Sequence, residues 1–199
     1  MTSTDHRTAP AWSHVEEFLR AHEADRIPHP GGTLLEHLAR VATLLADWGT
    51  ESAVQAAGLC HAAYGTDGFD GALLGLDERD TLVEIIGDRA EALVYMYASC
   101  GRAAVYSRLG RDEVPLFHDR FTGEDHAPPE EDLRAFLAIT AANEFDVFIH
   151  NTELAARYGP VLHELLSRAR ALLPPAAWQT WQDWQERQDW QRRQDDLRD

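Results

Sequence analysis

Two histidines, His37 and His61, stand where consecutive helices would bring them together, and the remaining chemistry-bearing residues group around them. An imidazole near neutrality either moves a proton or ligates a metal, so a pair sharing one cavity points to one of these two chemistries. Tyr64, just past His61, adds a hydroxyl that can donate or accept a proton, and Thr66 ends the glycine-containing segment that follows. Much further on, Asn143, Asp146 and His150 fall at i, i+3 and i+7, one face of a helix that also carries Phe136, Ile139 and Phe145. A polar stripe on so apolar a helix needs a partner, and we expect it to face the histidines. Arg102, Arg108, Arg111 and Arg120 gather between Gly101 and Pro129, alongside Tyr106, Phe117, His118 and Phe121. Their planar forks suit a carboxylate or phosphate ligand. Salt bridges with Asp112, Glu113, Asp119 and Glu124 are an equally good use of them. Arg79 follows a glycine-rich loop closely enough to reach an anion, whereas Glu91 reads as a solvated helix charge.

These residues need helices to hold them. Thr33 and Glu36 form a capping box ahead of Leu34, Leu35, Leu38, Val41, Leu44, Leu45 and Trp48, a helix that Gly49 ends. A second helix from about Ser52 carries Val54, Ala57 and Leu59 and delivers His61 at its C-terminal end. Upstream, Trp12, Val15, Phe18 and Leu19 predict a first helix, and the string from Ile27 to Gly32 predicts a loop holding His29 near the site. The segment from Asp67 to Glu78 should wrap the mouth of the site. Beyond it, a helix stopped by Gly87 and a partner over Ala90 to Ser99 follow. Glu130 to Tyr158 predicts the longest helix, stopped by Gly159-Pro160, and Val161 to Leu173 the next, closed by Pro174-Pro175. Trp178, Trp181, Trp184 and Trp190 then form a slanting stripe on a final helix that docks on the core, pairs with a second copy in a homodimer, or frays, and we favour a packing or dimer helix. The organisation expected is a flexible tail over 1–11, a helical domain over 12–175 and a C-terminal helix over 176–199.

The order EHLARVATLL, QAAGLCHAAYGT and ERDTLVEIIGDRAEALVYMYA resembles the HD-domain superfamily, and most closely the hydrolase domain of the RelA/SpoT-type alarmone enzymes, with patterns HPLxVAxIL, ALLHDxxEDT and FGxxVAxLV. The resemblance spans about Thr33 to Asn151. It implies an all-α, HD-domain-like helical bundle around a metal-using pocket. The family's Asp after the second His is Ala62 here, and its Glu-Asp pair is Tyr64-Gly65. Loss of the acid at Ala62 argues against a dinuclear site. The family's last ligand corresponds to Asn143 in one register and to Asp146 in the other.

Three readings follow. In the first, His37, His61 and Asp146 hold one divalent metal (Fe, Mn or Zn) with coordination positions open to water, substrate or dioxygen, giving a hydrolase or oxygenase. In the second, a metal-free HD-like pocket uses His61, Tyr64 and Glu144 in acid–base chemistry, or only binds a small ligand. In both, Arg79, Arg102, Arg120, Asn143 and Thr66 would hold a small anionic substrate. In the third, the histidines merely hydrogen-bond to backbone. We favour an enzyme.

The formal charge of −16 argues against a nucleic-acid partner, which needs a basic footprint. The chain has no lysine, so every fixed positive side chain is an arginine. No apolar run of membrane-spanning length and no signal peptide stand out, so a soluble, cytoplasmic protein is expected. Cys60 and Cys100 read as buried free thiols.

Overall fold

The computed structural model describes residues 12–69, 71–111 and 115–196, with side chains to residue 188. The tail expected over residues 1–11 lies outside the described residues, as do the acids expected at Asp112 and Glu113 and the side chain of Trp190.

The chain is all-α, with two small strand pairs. Helix α1 (Ser13–Ala21) leads into a tight hairpin of β1 (Pro28–His29) and β2 (Gly32–Thr33), then α2 (Leu34–Asp47) and α3 (Ser52–Cys60). Next come α4 (Arg79–Ile86), α5 (Asp88–Ser99) and α6 (Arg102–Arg108), and a second hairpin, β3 (Phe117–His118) with β4 (Asp125–His126). The chain closes with α7 (Glu130–His150), α8 (Thr152–Arg168) and α9 (Pro175–Asp196). Helices α2, α3, α5 and α7 form the centre. The expected capping box starts α2: Thr33 N–H donates to Glu36 Oε2 at 2.7 Å, and Glu36 N–H donates to Thr33 Oγ1 at 3.3 Å.

Two glycines set the spacing of this centre. A Cβ at Gly58 would run into Leu45 Cδ1, so its absence lets α3 lie against α2 and brings His61 beside His37. Gly31, at φ 82°, turns the first hairpin, and a Cβ there would meet the His150 ring. From Ala135 through Phe148 helix α7 has no exposed residue, with only Glu144 and Val147 half-buried, as befits a central helix.

Two boundaries differ from the sequence reading. Helix α7 stops at His150, not at Gly159-Pro160, because Asn151 leaves helical geometry and accepts the Leu154 N–H at 3.0 Å, capping a new helix. Helix α8 then runs straight through Pro160. The missing N–H of Pro160 costs one helical bond, and the packed face of Leu162, Leu165 and Leu166 holds the helix across it. The final helix docks on the core: Trp181 is fully buried, donates from Nε1 to the Ala141 carbonyl at 3.2 Å and meets Phe145 edge-on, while Trp48 Nε1 reaches Thr180 Oγ1. Trp184 packs on Phe148, and Trp178 stacks on His163. Among the described residues no helix is long and apolar enough to cross a membrane.

Candidate functional site

The two histidines share one neighbourhood, their ring centroids 5.3 Å apart, but they are used differently. His37 is fully buried on α2. Its Nδ1 donates to Asp146 Oδ2 at 2.7 Å and its Nε2 to Asn143 Oδ1 at 3.0 Å. The Asn143 orientation is fixed because its Nδ2 donates to Glu144 Oε1 at 3.2 Å, which leaves Oδ1 as the acceptor toward His37. With Asp146 on one side and Asn143 on the other, both nitrogens of His37 are engaged inside the protein. Arg40 completes the cluster, with Nε and an Nη on the two oxygens of Asp146 at 2.7 and 2.9 Å. Burial alone would push the Asp146 carboxyl up; the bonds from His37 and Arg40 outweigh it and hold the carboxyl below its ordinary range.

His61 sits one residue past α3. Its Nδ1 donates to the Gly58 carbonyl at 2.7 Å, and since a carbonyl only accepts, the proton is on Nδ1. Nε2 is therefore a bare acceptor, without a hydrogen-bond partner among the described residues. Burial first, and then the charge on His37, push His61 down to about 3, so it is neutral near pH 7. Tyr97 packs edge-on against it at 5.2 Å.

His61 lines a cavity of about 810 Å³. Its buried lining includes Thr66 and Asn143, next to Arg102, Glu144 and Tyr106, and we call this the inner end, against the exposed Tyr158 and Val161 at the mouth. Arg102 and Glu144 meet through one bond of 3.3 Å. Burial raises the Glu144 carboxyl above its ordinary value, opposed by Arg102, Asn143 and His37. His29 also lines the cavity, stacked on His37 at 4.0 Å and held down at about 4 by burial and by that neighbour's charge. Helices α7 and α8 supply an apolar wall that includes Val147, Phe148, Leu162 and Leu165.

Of the residues expected at the site, the structure brings His61, Thr66, Arg102, Asn143 and Glu144 to the cavity. His37 and Asp146 lie behind it, locked to each other. Tyr64 does not face it: buried beside α5, it donates to Glu91 Oε1 at 3.0 Å. Arg79 is bidentate on the same carboxylate at 2.6 and 2.7 Å and covers the Tyr95 ring. Glu91 is thus a buried anion, 3% exposed, and not a solvated helix charge, because Arg79 and Tyr64 together satisfy it. Burial and the Glu91 bond push the Tyr64 phenol up, away from any proton transfer near neutrality. Arg120 donates to the Ala98 carbonyl and stacks on Phe121, and Arg108 pairs with Asp125. His150 turns its Nδ1 to the Asp146 backbone carbonyl. Tyr106 and Arg111, from the expected arginine-rich segment, also line the cavity, and so does Arg168, which the sequence reading did not assign to it. The signal for Arg168 was available, as it follows Glu164 by one helical turn on the same face as Val161 and Leu165.

A metal shared by His37, His61 and Asp146 does not fit this donor set. Both nitrogens of His37 and both oxygens of Asp146 are engaged, and an ion there would have to expel the Arg40 guanidinium.

Residues 18–102 match the family model for a domain of unknown function, DUF6817. The match spans both cavity histidines and ends at Arg102, before α7 begins. No curated protein and no solved structure matches the chain.

Proposed function

We propose that this chain is an HD-like helical enzyme that performs metal-free acid–base chemistry on a small anionic substrate. The observation that carries the reading is the bare Nε2 of His61, fixed in its tautomer by Gly58 and set in a large cavity beside Arg102 and Glu144. Arg102 would hold the anionic group. The His61 Nε2 would accept the proton of a substrate O–H or N–H, and Glu144, whose carboxyl burial raises, would return a proton to the product. A base at about 3 is weak in the resting protein, and negative charge developing on the substrate beside it raises it during the reaction. His37 would orient Asn143 at the cavity floor, with Asp146 and Arg40 fixing His37.

Turnover of a panel of small hydroxy- and keto-carboxylates, with and without chelator, tests this. His61→Gln should lower turnover by about 10²–10⁴-fold with the fold intact by circular dichroism, and chelator should change nothing. Activity lost to chelator and restored by Fe, Mn or Zn would give the site to a metal instead. Full activity in His61→Gln would overturn the proposal.

A further inference from the structure

The cavity is far larger than a small anion needs, and its two ends differ in what they offer. Resting on the reading above, we propose that it takes an amphipathic carboxylate: a ligand with its carboxylate on Arg102 at the inner end and an apolar chain or aryl body lying along α8 toward the mouth.

Three observations support this. The first is the shape of demand at the inner end. Arg102, 29% exposed, makes one guanidinium hydrogen bond among the described residues, 3.3 Å to Glu144, and lies beside the Tyr97 hydroxyl, so that most of its donors remain to spare. The second is that the other arginines around the cavity are committed. Arg168 donates to Glu164 at 2.7 Å, to the Tyr106 carbonyl at 3.0 Å and to the Leu109 carbonyl at 3.4 Å. Arg111 is 57% exposed, where water screens its charge. An anionic head therefore gains most at Arg102, which puts the tail outward. The third is the path the tail would follow. Val147, Phe148, Leu162 and Leu165 wall the cavity, and at its rim Tyr158 and Val161 stand 46% and 69% exposed. Large apolar side chains left in water beside a cavity of this volume mark a surface that an apolar ligand covers. A short, fully polar anion would use none of this wall.

Octanoate, 1-octanol and acetate are sufficient probes, with binding measured by isothermal titration calorimetry. Octanoate should bind at least on the order of a hundredfold more tightly than acetate, because each added methylene contributes to burial. It should bind roughly tenfold or more better than octanol, because it alone can take the guanidinium fork. Arg102→Gln should erase that second preference and leave octanol binding unchanged, which also shows the variant is folded. Val161→Asp, at an exposed position, should weaken octanoate and octanol together. Acetate binding as tightly as octanoate, or a preference for octanoate that survives Arg102→Gln, would overturn the proposal. The two readings fail separately. Octanoate carries no donor for His61, so His61→Gln should leave its binding intact even where turnover is lost. Turnover of short anions that depends on His61 in a protein blind to octanoate would sink the amphipathic ligand and keep the enzyme.

Discussion

His37 and His61 lie within one ring's width of each other and have opposite fates. His37 is enclosed by Asp146, Asn143 and Arg40, so all its hydrogen-bonding capacity is internal. His61 has one nitrogen tied to its own helix and the other without a hydrogen-bond partner among the described residues. On the proposed reading the first is a positioning residue and the second the base. Residue type does not distinguish them; the partners supplied by α7 do.

The contrast can be broken most strongly at Asp146. Asp146→Ala strips the buried His37 and the Arg40 guanidinium of the carboxylate that pairs with both and should cost about 3–5 kcal/mol in urea unfolding, whereas His61→Gln removes one bond to a carbonyl and should cost about 1 kcal/mol. Equal costs would mean that His37 is no more structural than His61.

Acid should sharpen the same difference. In the unfolded chain His61 and His29 titrate near 6.5, and in the folded protein near 3 and 4. Between those values the unfolded chain binds more protons at these two groups, so their contribution to stability rises with pH from about 3 to 6.5 and levels off above, opposed in part by Glu144, whose raised carboxyl contributes with the opposite sign. Asp146, with its carboxyl held low, acts in the same direction: its contribution is complete above the ordinary carboxylate value and is lost as pH falls through the folded one. Urea midpoints at pH 4.5, 5.5 and 7 should therefore fall with acid. The fall should be shallower in His61→Gln, and an unchanged slope in that variant would contradict the neutral, buried imidazole.

The smallest effect concerns Tyr64. Tyr64→Phe removes one hydrogen bond to Glu91, which Arg79 still holds, so it should cost about 1 kcal/mol of stability and leave turnover as it was. A drop in turnover comparable to that of His61→Gln would return Tyr64 to the site.

How much of this was legible depended on the range of the interaction. The start of α2 was readable because a capping box is local, as was the meeting of His37 and His61, because consecutive amphipathic helices pack as neighbours. The inward face of Asn143 and Asp146 followed from helical periodicity. The Tyr64–Glu91–Arg79 cluster was not readable, since an isolated Glu on a helix is ordinarily solvated and only the docking of α3 and α4 on α5 buries this one. The corner at Asn151 escaped because Gly159-Pro160 is the stronger stop signal, and an asparagine that caps a helix looks the same in sequence as one that does not. The apolar wall of α8 was misread for the same reason, its residues having been divided between two helices.

The side chains that charge the cavity have a further consequence for covalent chemistry. Among the described residues Arg102, Arg111 and Arg168 are the fixed cations along its lining, in a chain that contains no lysine. A guanidinium does not condense with a carbonyl to an imine and keeps its proton at every pH the fold survives. A keto or aldehyde ligand would therefore be held without an imine to any of these side chains and could leave intact. No borohydride treatment would trap it on a lysine of this chain, and alkali would not discharge the cationic side of the cavity.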